Sequence, residues 1–309
     1  MNPIFIVIPI LIVLMYGLGL SLKFADFQTM FKKPAAIFIG LAGQLLILPA
    51  IAFAVAYIFA LPALFYVGII LIACCPGGSS SNVFSKIAGG NVALSITLTA
   101  LSSVITMFTI PVILQIALNH CSGYEAFAGL SKAMSPEAET ATQSAQQGLT
   151  LPVSNLLMQN IVLMFIPILL GAATKRLWPI WATKADKLIS KVAFPALMLL
   201  AAVFFIQHRR TIAENLFIVG AAVITLLLFS ITASAILARL SKLKSRERKT
   251  IVIEVGMQNA AQAIAIASSP FIFNNSALAI PAIIYALMMN VVLLVYVSAV
   301  KPHNKTAIN

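Results

Sequence analysis

The chain has 309 residues, of which 61% are hydrophobic and only 9% charged, more apolar surface than one water-soluble core can hide. Its formal net charge of +12 would suggest nucleic acid as the partner of a soluble protein. Here the charges fall in short clusters between long apolar stretches, so no nucleic acid is expected and the lipid bilayer is the solvent.

A bilayer-crossing helix needs about 20 mostly apolar residues. Such stretches run at 3–20, 35–59, 64–86, 92–118, 153–173, 189–206, 215–238, 245–273 and 279–299, which predicts an all-α polytopic membrane protein with nine transmembrane helices. The stretch 3–20 lacks a basic leader and a small-residue cleavage motif, so it is read as the first span and not as a signal peptide. Span two carries a neutral amide, Gln44, in an otherwise apolar run. Interhelical hydrogen bonding would account for it as well as a ligand role would.

Span three is interrupted by Pro76-Gly77-Gly78. Proline removes a backbone donor and the glycines permit unusual dihedrals, so the helix opens there. Free backbone groups at membrane depth are tolerated where they are buried in protein or line a cavity. The oxygen-bearing run Ser79, Ser80, Ser81 and Asn82 follows the break, which favours a ligand site over a simple proline kink. In span four, Ser95, Thr99, Ser102 and Thr106 fall at helical spacing. Each hydroxyl alone is expected to bond its own backbone, but together they are placed to complete an oxygen cage against the broken span.

Residues 119–152 are polar and read as an external loop with no assigned function. Span eight is interrupted by Glu254-Val255-Gly256-Met257-Gln258-Asn259. Glu254 lies about nine residues into its helix, roughly 13 Å at 1.5 Å per residue. A carboxylate at that depth is protonated, salt-bridged or bound to a cation. No basic residue is expected at its depth, so a small hard cation from solution is its natural partner.

Seventeen basic residues fall on one side of this topology, and only Lys132, Arg209 and Arg210 on the other. The positive-inside rule then places the N-terminus outside and the C-terminus in the cytoplasm, in a cell inner membrane. Cys74 and Cys75 sit inside a span, with Cys121 alone beyond it, so no disulfide framework is expected. His120, His208 and His303 all fall in loops or the tail. No phosphate-binding glycine loop, zinc-ligand spacing or nucleophile elbow occurs, so neither an enzyme nor ATP-driven transport is expected. Broken spans three and eight are each the third member of a four-span unit, and the units are offset by an odd number of spans. Their equivalent helices therefore run in opposite directions, which predicts inverted repeats.

Cys74-Cys75-Pro76-Gly77-Gly78 with Ser81-Asn82, then Gly90-Asn91-Val92-Ala93-Leu94-Ser95, then Glu254-Val255-Gly256-Met257-Gln258-Asn259 resemble the bile acid:sodium symporter family, in particular its bacterial members. The resemblance covers nearly the whole chain. It implies two sodium ions where the two broken helices cross, one held by Ser81, Asn82, Ser95, Thr99 and Glu254. The other would be held by Gln44, Glu254, Gln258 and the backbone carbonyls of Val255 and Met257. It also implies a core domain of spans two to four and seven to nine (35–118 and 215–299) and a panel domain of spans one, five and six (3–20 and 153–206). Many bacterial members carry ten spans, and this chain is expected to lack the first, as animal members do.

The expected function is import of an organic anion, bile-acid-like or a small carboxylate, by sodium-driven alternating access. The coupling ions are two Na+ and no cofactor is expected. The half-helices after Gly78 and after Asn259 would turn their positive N-terminal ends toward the anion, with Ser79, Ser80 and Asn259 as its contacts. Two rival readings are a proton-coupled exchanger using Glu254 as carrier and a ligand-sensing membrane protein without net transport.

Overall fold

Long apolar runs must satisfy their backbone hydrogen bonds internally in lipid, and helices do so within one segment. The computed structural model describes residues 4–22, 34–78, 80–121, 152–207 and 209–300. In chain order the helices are α1 (Ile4–Ser21), α2 (Pro34–Ile58), α3 (Ala63–Cys74), α4 (Ser81–Ile87), α5 (Val92–Cys121) and α6 (Val153–Leu177). They continue with α7 (Pro179–Gln207), α8 (Arg209–Leu240), α9 (Ser245–Gly256), α10 (Ala260–Ser268) and α11 (Ile280–Val300). Among the described residues five helices are long and apolar enough to cross a membrane, namely α2, α5, α6, α8 and the segment Ser276–Val300 that ends in α11. The chain is a multi-pass membrane protein.

A helix or a pair of half-helices occupies each of the nine apolar stretches expected from the sequence, with shifted ends. Helix α7 begins at Pro179 and not near 189, because the Lys184 to Lys191 stretch contains no helix breaker. Its 29 residues extend about 43 Å, longer than the roughly 30 Å hydrocarbon layer. Residues 119–121, expected in the external loop, continue α5, and the rest of that loop to Leu151 lies outside the described residues, as does Ser79.

Both expected interruptions are present: α3 ends at Cys74 with α4 starting at Ser81, and α9 ends at Gly256 with α10 starting at Ala260. Proline alone does not break these helices. Pro111 lies inside α5 and Pro195 inside α7 without interrupting either. At Pro76 two glycines follow, and Cys75 takes the extended conformation, φ −68° and ψ 155°, to which a following proline biases a residue.

Of the four broken segments, α3 and α10 lie deepest, while α4 exposes Val83 and Ile87 and α9 exposes its first residues, Ser245 and Arg246. Every residue of α10, and every residue of α3 but the half-buried Leu64, is buried, whereas α2, α5 and α8 turn Phe38, Tyr57, Phe108, Val112, Phe217 and Phe229 outward, as lipid-facing surfaces require. Helix α1 packs closely on α6 through glycines: a Cβ at Gly19 would come within 2.9 Å of the Gly171 Cα, a close approach of backbones typical of membrane helix pairs. Tyr16 Oη donates to Thr174 Oγ1 at 3.0 Å and Ser21 Oγ to Asp186 Oδ1 at 2.7 Å, tying α1 to α6 and α7.

Candidate functional site

The two breaks meet. Gly77 and Gln258 form an antiparallel bridge, in which Gly78 N donates to Met257 O and Asn259 N donates to Pro76 O, both at 2.8 Å. Four backbone groups that the interruptions release from helical bonding are thereby satisfied across the crossing, which is how irregular backbone survives at depth. Tyr285 on α11 adds a hydrogen bond from its hydroxyl to Gly256 O at 3.2 Å.

Glu254, in the last turn of α9, is fully buried beside this crossing. Its Oε2 accepts from Ser95 Oγ at 2.8 Å and its Oε1 accepts from Thr99 Oγ1. Ser81 Oγ, at the start of α4, lies 3.2 Å from Ser95 Oγ and 3.5 Å from Thr99 Oγ1. Residues 95 and 99 share a face of α5, so one helix presents both hydroxyls to one carboxylate. Asn82 is half-buried, and its Oδ1 is buried without a hydrogen-bond partner. Every polar side-chain group of this cluster carries oxygen, the donor type that hard cations take.

Gln44 reaches the crossing from α2 through a π-helical turn, Gly43–Ile47. Such a turn inserts one residue into the helical register and often marks a functional site. Gln44 is 1% exposed, and neither its Nε2 nor its Oε1 has a partner. A Cβ added at Gly77 would collide with Glu254 Oε1 and lie 3.1 Å from Gln44 Nε2, so Gln44 and Glu254 pack against the same glycine. Gln258 is buried with its Oε1 unpartnered, while its Nε2 donates to Val255 O at 2.8 Å. The Val255 and Met257 carbonyls each accept one hydrogen bond, from Gln258 Nε2 and Gly78 N, and each keeps a second lone pair. Buried amide oxygens are ordinarily hydrogen-bonded, so the unpartnered oxygens of Gln44, Asn82 and Gln258, on the elements that meet at the crossing, fit a cation as their missing partner.

Of the residues expected to hold sodium, the structure brings Ser81, Ser95, Thr99 and Glu254 into one cluster and sets Gln44, Val255, Met257 and Gln258 at the crossing beside it, while Asn82 follows Ser81 in α4. Of the expected hydroxyl stripe, Ser95 and Thr99 reach Glu254, Ser102 Oγ accepts from Gly77 N at 3.4 Å, and Thr106 donates to Ser103 O at 3.4 Å. Of the residues expected at the anion, Ser80 and Asn259 line a small cavity with Leu14, Gly78, Gln258 and Asn290. The Asn259 side chain caps α10, its Oδ1 accepting from Gln262 N at 3.1 Å, while Nδ2 faces Met15 Sδ at 3.9 Å. Its oxygen is therefore committed to the cap, and its amide N–H groups are what it has left for an anion.

Several participants are not legible as such in the sequence. Thr250 Oγ1 accepts from Asn91 N at 2.8 Å and donates to Asn91 O at 3.2 Å, while Asn91 Oδ1 accepts from Leu94 N at 3.2 Å at the start of α5. The Gly90-Asn91 motif therefore joins α9 to α5. Lys249 Nζ donates to Ala88 O at 3.0 Å and to Val300 O at 2.6 Å, closing the ends of α4 and α11. The available signal was helical spacing from Glu254, since residues 250 and 254 are one turn apart.

Helices interrupted at a crossing that holds a buried carboxylate and unpartnered amides define the architecture of a membrane transporter. The chain belongs to the sodium bile acid symporter family, whose sequence profile matches residues 8–215. That match covers Gln44, Ser81, Asn82, Ser95 and Thr99 and stops before Glu254. The chain is similar to the uncharacterized sodium-dependent transporter YocS of Bacillus subtilis, with 26% identity over 278 residues, which are 90% of this chain and 77% of that protein. It is also similar to the probable sodium/metabolite cotransporter BASS1, chloroplastic, of Arabidopsis thaliana, with 26% identity over 271 residues, 88% of this chain and 60% of the relative. A sodium-dependent organic anion transporter of Homo sapiens is 27% identical over 179 residues, 58% of this chain and 40% of that protein. The chain thus spans less than two thirds of the last two. The family and these relatives are transporters, not enzymes.

Proposed function

We propose that the protein is a sodium-coupled symporter that imports an organic anion by alternating access. The observation that carries this reading is the fully buried Glu254 carboxylate at the crossing of two interrupted helices, bonded by the Ser95 and Thr99 hydroxyls, with unpartnered Gln44, Asn82 and Gln258 oxygens on the elements that meet there. One sodium ion takes Ser81, Asn82, Ser95, Thr99 and Glu254, and a second takes Gln44, Glu254, Gln258 and the Val255 and Met257 carbonyls. The two positive charges outweigh the single carboxylate, and the surplus sits beside the first turn of α10. There the helix N-terminus adds its own positive partial charge. The cavity lined by Ser80 and Asn259 is the place for the carboxylate of the anion, with Ser79 as a further contact. Resemblance to a sodium-dependent organic anion transporter supports the substrate class.

In this reading nine spans cross a cell inner membrane with the N-terminus outside. Helices α2 to α5 and α8 to α11 form the core domain, α1, α6 and α7 form the panel, and two inverted four-span units place the breaks in opposite directions. The core moves against the panel and exposes the cavity to each side in turn, and the inward sodium gradient drives uptake. The decisive experiment is uptake of labelled organic anions into proteoliposomes with an imposed sodium gradient. Accumulation that needs sodium supports the reading; accumulation that persists without sodium and follows a pH gradient replaces it with proton-coupled exchange on the same fold. Sodium-linked binding without accumulation would make the protein a ligand sensor.

A further inference from the structure

The corner between α6 and α7 gathers five basic residues, Lys175, Arg176, Lys184, Lys187 and Lys191, against one acidic residue, Asp186. Asp186 accepts the Ser21 hydroxyl of α1 at 2.7 Å. On the same face of α7, Ala182 is fully buried, and a Cβ at Gly17 of α1 would lie 2.6 Å from Ile189 Cγ2. Residues 182, 186 and 189 thus share the packed face, and 180, 184, 187 and 191 fall nearly opposite at 3.6 residues per turn. Ile180 and the three lysines are accordingly exposed. Trp178 and Trp181, the two tryptophans of the chain, stand beside this stripe and are 61% and 56% exposed.

The length of α7 sets the depth of the stripe. Residues 188–207 alone rise about 30 Å, enough for the hydrocarbon layer, so residues 179–187 stand in the headgroup layer. Lys191, one turn further in, reaches that layer by extending its stem. Tryptophan settles at the same depth, with its ring toward the chains and its N–H toward water. The corner is also held in shape: Lys175 Nζ donates to Thr183 Oγ1 at 3.0 Å, and Thr183 Oγ1 donates to Pro179 O at 2.7 Å. No acidic residue in the first turn of α7 offsets the positive partial charge of its N-terminus.

We propose that this corner is a binding site for an anionic phospholipid, its phosphate over Lys184, Lys187 and Lys191 and its acyl chains beside Trp181 and the exposed Leu188. The inference rests on α7 crossing the membrane, as in the nine-span arrangement proposed above, and not on the sodium or substrate assignments. Charge complementarity selects the lipid. A zwitterionic headgroup sets an ammonium against the lysines together with its phosphate, whereas phosphatidylglycerol or cardiolipin brings negative charge alone, and each lysine near the surface favours an acidic lipid. An acidic soluble protein fits less well, because apolar Ile180, Trp181 and Leu188 interleave with the lysines and ask for lipid at the same place.

The test places the full-length protein in phosphatidylcholine vesicles and reads tryptophan fluorescence, which reports on this corner because the chain has no tryptophan besides Trp178 and Trp181. Lipids brominated in their acyl chains quench it on contact. Brominated phosphatidylglycerol should quench at an about fivefold lower mole fraction than brominated phosphatidylcholine, the advantage that one surface lysine gives an acidic lipid. Combining Lys184→Gln, Lys187→Gln and Lys191→Gln should make the two lipids equal, and arginine at the same three positions should keep the preference. Lys242→Gln with Arg246→Gln, both exposed between the end of α8 and the first turn of α9, should keep it too. Equal quenching by both lipids in the wild type, or a preference that survives the three glutamines, overturns the site. Loss of the preference in the Lys242 and Arg246 variant also overturns it, by reducing it to net charge. These outcomes leave the symport reading standing, whereas quenching by neither lipid would take α7 out of the membrane and overturn the nine-span arrangement as well.

Discussion

The two breaks that meet at the crossing are built from opposite ingredients. Between α3 and α4 the interruption is written locally: Pro76 lacks a donor, Cys75 is held extended before it, and Gly77 and Gly78 follow. Between α9 and α10 there is no proline, and a single Gly256 precedes an extended Met257. What holds that second break open is mainly tertiary: the bonds from Gly78 N to Met257 O and from Asn259 N to Pro76 O and the Tyr285 hydroxyl on Gly256 O, to which the Asn259 cap adds a local contact. The first break supplies shape and close approach, since a glycine at 77 lets Glu254 and Gln44 reach its Cα. The second supplies charge, since Glu254 is one turn before it. A locally encoded interruption thus serves as the template on which a less committed one is held open.

The largest effect should come from the charged side of that comparison. Glu254→Gln keeps the shape and removes the only carboxylate in the described cluster, so sodium-dependent uptake should fall by more than about 100-fold, in line with the 3–5 kcal/mol typical of breaking a buried ionic pair. Uptake in proteoliposomes near the wild-type rate would remove Glu254 from both ion sites.

Gly77→Ala tests the shaped side. Its Cβ would meet Glu254 Oε1 and lie 3.1 Å from Gln44 Nε2, and overpacking of this kind costs about 1–3 kcal/mol. Apparent sodium affinity should drop about tenfold or more. Gly220→Ala, where the nearest atom to the added Cβ is 3.9 Å away, should leave that affinity unchanged, and equal effects of the two substitutions would contradict the packing argument.

Gln44→Ala should be milder and should separate ion binding from stability. Both polar atoms of Gln44 are unpartnered, so losing them breaks no protein hydrogen bond. Thermal stability without sodium should hold, while the stabilisation gained on adding sodium shrinks, by about 1 kcal/mol for one lost ligand bond. A drop in sodium-free stability with intact sodium stabilisation would make Gln44 a structural residue.

The smallest pair sharpens the contrast between the breaks. Asn259→Ala removes the cap of α10 and should cost about 1 kcal/mol of stability and weaken anion binding several-fold, with sodium-only binding preserved. Pro76→Ala should cost less, because Gly77 and Gly78 still mark the first break locally and its cross-bonds to Met257 and Asn259 remain. Melting curves and anion titrations of the two variants check this; a larger loss at Pro76 would mean that local sequence, and not the crossing, maintains the site.

Composition, the succession of apolar runs and the two interruptions were determined by the sequence alone, because lipid demands long helices and any exception must carry a visible breaker or a polar cluster. Glu254, Ser95 and Thr99 could be singled out for the same reason: polar groups at depth are costly and helical spacing puts residues 95 and 99 on one face. The tertiary structure alone decided how these parts meet. The sequence leaves Gln44 between a packing contact and a ligand, and only the fold shows the π-helical turn that sets it against Gly77. The pairing of Gly77 with Gln258, the anchoring of Asn91 by Thr250, and the tie of Ser21 to Asp186 join residues about 160 to 180 positions apart. Periodicity reports which face of a helix is polar, but it carries no information about which distant helix will satisfy that face, and in an apolar bundle that choice is made by backbone approach and by the requirement that buried polar groups find partners.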